Sequence, residues 1–444
     1  MDIWMLRKGA DRRFRSGHPW VFSNELAKSP ALVEPGAPVE LRAAGGGFLA
    51  RGYGHPHSLI AFRALSRDPA QTDPWSADAM TAKLRAAAHL RRVLGLDGVS
   101  HRLVFAEADG LPGVVIDRYR LSAPEGAPLQ LFALQAHTAG AERLQGALLQ
   151  ALQTLVGEAS AQGSGGVSWE RTGVVLRNDV SIRRLEGLPA NEVRVMREPP
   201  GVDLARAQAL IAEPLNAGNG TPSPFRVDLL GGQKTGFYLD HTANVRLAAE
   251  RVGTLLRHGA GNWRSGPLRV LDLFCYGGQW GAQLTRVAAR FGRETRVTAV
   301  DASTAALELA RANVEAAGGA CEAVKRDALA DLRDLPARTF DVVVVDPPPL
   351  IKGRKALHVG RAAYRKLNMG ALRLARPGGL YVTCSCSQLL DETELLAILD
   401  KAARRSEVAV QWVARGGQAP DHPVLGSFPE GRYLKCLIGL VSMP

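Results

Sequence analysis

Cysteine is scarce. The chain has five in 444 residues (Cys275, Cys321, Cys384, Cys386 and Cys436), an odd number with no Cys-x-x-Cys pair. That argues against both a disulfide framework and a zinc site, and no metal is expected. Long hydrophobic runs are missing as well: stretches such as Val342 to Val345 fall far short of the roughly 20 residues a membrane helix needs. Asp2 and then Arg7, Lys8, Arg12 and Arg13 precede no apolar block, so no secretory signal is read and a cytoplasmic location is expected. Nucleotide-binding signatures are absent in two forms. The dinucleotide pattern Gly-x-Gly-x-x-Gly does not occur in the glycine-rich turn, and no phosphate-loop cradle is present. Acidic residues are the minority, 43 against 55 Lys plus Arg, for a net charge of +12. An arginine-heavy excess suits a polyanionic partner, since phosphates attract and orient guanidinium groups, although compositional bias alone produces the same balance.

What is present centres on Arg269 to Asp301. A short apolar run, Val270 to Phe274, enters a turn with Gly277, Gly278 and Gly281; an amphipathic helix with Leu284, Val287 and Ala288 on one face follows; a second apolar run ends at Asp301. This is a strand, turn, helix, strand unit with an acid at the tip of the second strand. Glycines let a ligand approach the backbone, and the acid can accept both hydroxyls of a ribose. These residues resemble the first motif of class I S-adenosylmethionine-dependent methyltransferases. Later stations agree: Val324-Lys-Arg-Asp327 places an acid after a third strand, and Phe340 to Asp346 is a fourth strand ending in Asp346-Pro347-Pro348. The expected sheet is open and mostly parallel, with ligands at the carboxyl ends of its strands.

Two or three domains are expected for this length. Residues 1 to about 72 read as a small β domain, with alternating runs at Val39, Gly47 and Leu59 separated by Gly and Pro turns. Arg12 and Arg13 precede Trp20 and Phe22, an arrangement suited to stacking and phosphate contact on RNA; the plainer alternative is that the aromatics fill the barrel core while the arginines are solvated. Residues 68 to 75 read as a linker. A helix is expected over Ala77 to Leu94, a strand pair around Asp109-Gly110, a strand at Leu129 to Gln135, a helix at Ala139 to Leu155, and a strand pair at Val174 to Arg177 and Val180 to Arg184. Asp109 and Asp117 are a candidate acid pair, though turn and strand-end duty is the commoner use. Glu198 to Pro224 reads as a surface loop around a short helix at Leu204 to Ile211.

The chemistry is narrowed by two segments. Asp346-Pro347-Pro348 is followed by Pro349, so no aromatic stands there to stack on a base, which disfavours amine methylation of adenine. Gly378 to Ser387 reads as a strand ending in cysteine. Carbon methylation of a pyrimidine needs such a thiolate, because C5 is a poor nucleophile until sulfur adds to C6. The alternative is that Cys384 and Cys386 are ordinary buried strand residues, sharing one face.

With Gln233 to Asp240, Asp346-Pro-Pro, Ser385-Cys-Ser387, the Asp109 to Gly113 hairpin and the tail Asp421 to Lys435, the chain resembles, over essentially its whole length, the bacterial 23S ribosomal RNA (cytosine-5)-methyltransferases that carry an N-terminal PUA domain. The resemblance implies an α/β fold: a class I methyltransferase Rossmann-like sheet at the C-terminus, an N-terminal PUA-like β-barrel and a middle α+β domain, divided as 1–72, 73–196 and 197–444. It implies S-adenosylmethionine as cofactor, 23S ribosomal RNA as partner and no membrane; a homodimer stays open. Cys386 matches the nucleophile and Asp346 the acid at the flipped base, beside Pro347. For the cofactor, the resemblance implies Asp301, Ala302 and Ser303 at the ribose, Asp327 and Ala328 at the adenine, Asp272, Phe274, Cys275, Tyr276, Gly277 and Gly278 around the methionine part, Asn313 nearby, and Lys234, Tyr238 and Asp240 closing over it. RNA contacts are expected from Arg12, Arg13, Trp20, Lys352, Arg354, Lys355 and Arg361. Cys384 is taken as structural. The chain departs from the family pattern Asp-Gln-Arg-x-Asn-Arg-Arg with Asp240-His241-Thr242-Ala243-Asn244-Val245-Arg246, and from Asp-Pro-Pro-Lys with Pro349. Uracil or another RNA as substrate, and a non-catalytic assembly factor, stay open.

Overall fold

The structure, a computed structural model, describes residues 1–28, 33–122, 128–161, 166–190, 192–213, 222–259 and 261–443. The chain divides into two compact units: residues 1–211, 228–239 and 420–431 form the first, and 212–227, 240–419 and 432–444 the second.

The first unit begins with β1 (Asp2–Met5), α1 (Arg12–Arg15), β2 (Trp20–Phe22), β3 (Ala37–Arg42), β4 (Phe48–Gly54) and β5 (Ile60–Ser66), in the sheet order β1-β3-β4-β5-β2. The alternation of β3 and β5 puts Val39, Leu41 and Phe62 inside, where they meet Trp4, Leu6 and Phe14. A second layer follows. Ser76 caps α2 (Ala77–Val93) by accepting from the amide of Ala79, and β6 (His101–Phe105) pairs with β7 (Val114–Leu121) through the expected Asp109-Gly110 turn. Asp109 accepts from both guanidinium nitrogens of Arg91 and from the amide of Phe105; Asp117 is fully buried against Arg102. Both acids therefore do turn and strand duty. β8 (Leu129–Ala136), α3 (Ala139–Arg143), α4 (Gln145–Ala161), β9 (Thr172–Leu176), β10 (Arg194–Arg197) and β11 (Ala207–Ala212) complete it, in the order β10-β9-β8-β7-β11. Leu84, Phe132, Leu134 and Leu148 lie in its core.

Two expectations fail here. Val180 to Arg184 is not a strand: Ser181–Glu186 is a 3-10 turn closed by Gly187 at φ +70°. Its apolar residues Ile182 and Leu185 are exposed and its buried side chains are Arg183 and Glu186; the Arg183 guanidinium binds the carbonyl of Pro189 and the carboxylate of Glu142. Leu204 to Ile211, expected as a short helix within a surface loop over Glu198 to Pro224, is not one. After one 3-10 turn it becomes β11, burying Ala207, Ala209 and Ile211 at period two, a pattern obscured by its Pro- and Gly-rich surroundings. Residues 214–221 of that expected loop lie outside the described residues.

The second unit contains β12 (Pro222–Val227), α5 (Thr242–His258), β13 (Leu268–Leu273), α6 (Gln279–Ala289), β14 (Thr295–Asp301), α7 (Thr304–Ala316), β15 (Ala320–Lys325), β16 (Phe340–Val345), α8 (Leu357–Leu372), β17 (Ala375–Ser385), α9 (Glu392–Arg405), β18 (Ala409–Gly416) and β19 (Lys435–Ser442). Sheet order is β15-β14-β13-β16-β17-β19-β18, parallel through β17 and antiparallel at β19 and β18. β16 reads Phe-Asp-Val-Val-Val-Val and is buried throughout, as expected for a strand covered on both faces. The order reverses between β13 and β16, and a crevice at the carboxyl ends of strands is the binding position such sheets offer. Leu273, fully buried at the end of β13, packs with Val300, Val343 and Val345. Leu273→Ala should destabilise the protein by about 2–5 kcal/mol. Urea unfolding checks this, and an unchanged midpoint would contradict the packing described.

Candidate active site

The turn after β13 holds its backbone in a strained conformation. Phe274, Tyr276 and Gly278 have φ of +62°, +45° and +70°. Amides of Phe274 and Cys275 both reach the Val300 carbonyl at 2.8 and 3.2 Å, turning the chain across the tip of β14. Gly278 is required twice over, by its φ and because a Cβ would stand 2.8 Å from Cα of Ala310. Asn313 on α7 pins the turn from behind, donating to the Gly277 carbonyl at 2.9 Å and bonding both backbone groups of Arg226. A Cβ on Gly277 would have no neighbour closer than 3.9 Å, so open space lies over that glycine.

Two acids, Asp301 and Asp272, stand at this turn. Asp301 ends β14 and accepts from the amides of Tyr276 (3.1 Å) and Ser303 (2.9 Å), while Ser303 caps α7 and Ala302 is exposed between them. Asp272 is completely buried; one oxygen accepts from the Gly281 amide at 3.1 Å and Oδ1 has no hydrogen-bond partner among the described residues. Burial raises its pKa from 3.8 to about 7, opposed by the Gly281 amide and assisted by Asp346 and Asp301. Asp327, exposed after β15, accepts from the Leu329 amide; it borders an open cleft of about 400 Å³ with Arg326, Asp331 and Arg333, and Ala328 beside it is buried.

The base-side residues meet at the ends of β16 and β17. Asp346 Oδ2 lies 3.3 Å from Nε1 of Trp280 and 3.3 Å from Nε2 of His241, both rings being buried. Cys386 is half-buried just past β17, with Sγ 3.9 Å from the Pro347 carbonyl. Below it, Tyr364 shares hydrogen bonds with the hydroxyls of Ser385 and Ser387. Ligand-capable atoms of His241, Asp346 and Cys384 lie within 4.8 Å of one another. Burial, with Cys436 alongside, drives the Cys384 thiol well above its ordinary pKa, which favours the thiol over the thiolate a metal would need. His241 and Trp280 instead aim two N–H groups at one carboxylate oxygen. Sequence reasoning gives neither of them a role; the signal available is the histidine in place of the family's glutamine.

The remaining expected residues are distributed as follows. Asp240 is buried and accepts from the Tyr433 hydroxyl at 2.6 Å. Lys234 (φ +55°) and Tyr238 belong to the first unit, the ammonium 4.2 Å from the ring centre. In that unit Arg12 is exposed, Arg13 pairs with Glu25 at 3.0 Å over the Phe22 ring, and Trp20 is half-buried, donating to Glu107 and lying 4.6 Å from the Phe428 ring. In the second unit Lys352, Arg354 and Lys355 are exposed and Arg361 pairs with Glu394.

Comparison with known proteins agrees with this geometry. A PUA-like domain matches residues 5–67 and a methyltransferase domain residues 270–379. The ribosomal RNA large subunit methyltransferase I of Photobacterium profundum is 35% identical over 442 residues, 97% of each chain. That of Salmonella arizonae is 33% identical over 441 residues, 97% of this chain and 95% of its own. The chain belongs to the ribosomal RNA large subunit methyltransferase I family. Its fold is shared with a solved SAM-dependent methyltransferase from Streptococcus mutans at 17% identity, TM-score 0.69, over 99% of this chain and 100% of that one. A methyltransferase solved with S-adenosylhomocysteine superposes with TM-score 0.70 at the same identity and coverage.

The expected α/β architecture, with its PUA-like module and class I methyltransferase sheet, is thereby established, and the cofactor is S-adenosylmethionine. The residues fit it: open space over Gly277, a ribose-type acid held by two amides, and a buried carboxyl oxygen without a partner beside the turn. Asp272 also sets a pH dependence. Its folded pKa lies above the unfolded value, so the folded state keeps a proton that the unfolded chain releases; the stability it contributes is full below about pH 4 and lost as pH rises through 7. Asp272→Asn should flatten that slope in urea unfolding at a series of pH values. Parallel slopes in the two proteins would contradict the buried neutral carboxyl.

Proposed function

We propose that this chain transfers a methyl group from S-adenosylmethionine to C5 of a cytosine in 23S ribosomal RNA through a covalent adduct with Cys386. The observation that carries the reading is the approach of Cys386 Sγ to the Pro347 carbonyl, 3.9 Å away, which brings the thiol to the Asp346-Pro347-Pro348 segment. The relatives' activity on the large ribosomal subunit supports an RNA substrate, as does the PUA-like module.

In this reading the base is flipped out, since C5 and C6 are inaccessible within a stack. The Cys386 thiolate adds to C6, forming the S–C6 bond and moving the C5=C6 π pair onto C5. Bound S-adenosylmethionine supplies the electrophilic methyl group that C5 takes. A base then removes the C5 proton, the double bond re-forms and the thiolate leaves. Asp346, with Oδ2 occupied by Trp280 and His241, offers its other oxygen to the exocyclic amine of cytosine. Uracil presents a carbonyl at that edge, so the acid favours cytosine.

Asp301 would hold the ribose, Asp327 and Ala328 the adenine, and the Asp272 to Gly278 turn the methionine part. Lys234, Tyr238 and Asp240 would close over the cofactor. Arg12, Arg13 and Trp20, together with the basic stretch Lys352, Arg354, Lys355 and Arg361, would contact RNA. The division of labour follows residues 1–72 for RNA binding, a middle domain to 196 and catalysis beyond.

Covalent trapping tests the reading. RNA containing 5-fluorocytosine should give a slower band on a denaturing gel with the wild-type protein and cofactor, because fluorine cannot leave as a proton. Cys386→Ala should lose the band and all turnover while cofactor affinity changes less than about twofold. Full activity in that variant removes the nucleophile, and trapping only on 5-fluorouracil RNA moves the substrate to uracil.

A further inference from the structure

Among the described residues of the second unit, one cation is buried without an anion. Lys435 opens β19 directly across from Ser385, is 6% exposed, and donates from Nζ to the backbone carbonyls of Ser387 (2.6 Å) and Tyr433 (2.9 Å). It forms no ion pair with a carboxylate within 4 Å among the described residues. Two carbonyl dipoles orient an ammonium group but do not balance its charge, and a buried ion without a counter-charge is strongly unfavourable. The placement points to the missing partner. Lys435 is cross-strand from the residue before Cys386 and hydrogen-bonded to the residue after it.

We propose that Lys435 is the positioning residue that holds Cys386 as a thiolate, the two forming an ion pair that arms the nucleophile. The inference rests on the reading of Cys386 as the attacking group. Cys386 gives its Sγ proton to solvent while Lys435 stays protonated. When sulfur adds to C6 it becomes a neutral thioether, and when the S–C6 bond breaks the thiolate returns to its cation. No oxidant or other reactant is required.

The surrounding groups allow this. Burial lowers the pKa of Lys435 to about 8, and Cys386 is the strongest influence raising it, with Asp391 at the start of α9 assisting and Arg432 opposing. Tyr364 on α8 and Cys384 on β17 also feel Cys386; both are raised by burial and stay neutral at pH 7. Asp346, next to the Pro347 carbonyl, acts against a thiolate. A local cation is therefore what an ionised Cys386 requires.

The test is the pH profile of Cys386 alkylation by iodoacetamide in the full-length protein. Peptide mass spectrometry reads that position alone, so half-exposed Cys321 does not interfere. In the wild-type protein the midpoint should lie at least about one pH unit below the ordinary thiol value of about 8.5. Lys435→Met should raise it by about a unit and slow alkylation at pH 7 about tenfold, while Lys435→Arg, which keeps the charge, should retain the low midpoint. A wild-type midpoint at or above about 8.5 overturns the pair whether or not the methionine variant folds. An unmoved midpoint in folded Lys435→Met overturns it too. Trapping on 5-fluorocytosine RNA, run in parallel, separates the two readings. Trapping with an ordinary midpoint defeats the pair and leaves the nucleophile, whereas a depressed midpoint without trapping supports the pair and defeats the cytosine reading.

Discussion

Four parallel strands that stop together are the constraint on which the site depends. Leu273 is in register with Val300 on one side and Val345 on the other, and Val345 with Thr383. The residues that follow, the Phe274 turn, Asp301, Asp346 and Cys386, are therefore delivered to one edge of the sheet, with adjacent strands about 4.8 Å apart. The strands themselves are largely apolar; Asp272, one residue before the end of β13, is the acid that lies inside the ladder. Polar groups are tolerated where the ladder ends, and the reversal of strand order between β13 and β16 opens a crevice there. Precision at this edge is inherited from a core that contributes nothing to the reaction directly.

That edge is electrostatically uncomfortable in the absence of a ligand. Asp301 and Asp346 both act on Asp272, the most buried of the three, which keeps an oxygen without a hydrogen-bond partner among the described residues and a pKa near 7. Natural cores avoid such an arrangement unless function requires it. S-adenosylmethionine bears a sulfonium and an ammonium group, the kind of charge that the three acids lack. The same logic runs in reverse a few strands away, where Lys435 is a buried cation among carbonyls. Negative charge is in excess where β13 and β14 end, and positive charge where β19 begins.

Local patterns are legible in the sequence wherever the decisive interactions are local. The glycine turn, the acid ending β14, the Asp109-Gly110 hairpin and the apolar run of β16 depend on neighbours a few residues away. Ser181–Glu186 and β11 are misleading because their character comes from tertiary partners: a buried arginine satisfied by other segments in one case, pairing with β7 in the other. For the same reason His241 and Trp280 are invisible as a pair, since they meet only over a carboxylate far away in sequence. A one-residue signal, histidine where the relatives' pattern has glutamine, marks the position without revealing the contact.

The two neighbouring cysteines show how sharply position decides role. Two residues apart in a strand, both would share a face and an environment. But β17 ends at Ser385. Cys384 is still in the ladder, opposite Cys436, fully buried, its thiol driven upward by desolvation. Cys386 has left the ladder, is half-exposed, and stands beside a cation that has no carboxylate of its own among the described residues. Desolvation without a counter-charge raises a thiol's pKa, whereas partial exposure beside a cation lowers it. The point at which the sheet stops is therefore what gives the two cysteines different surroundings, and the alternation rule that equates them holds only inside the strand.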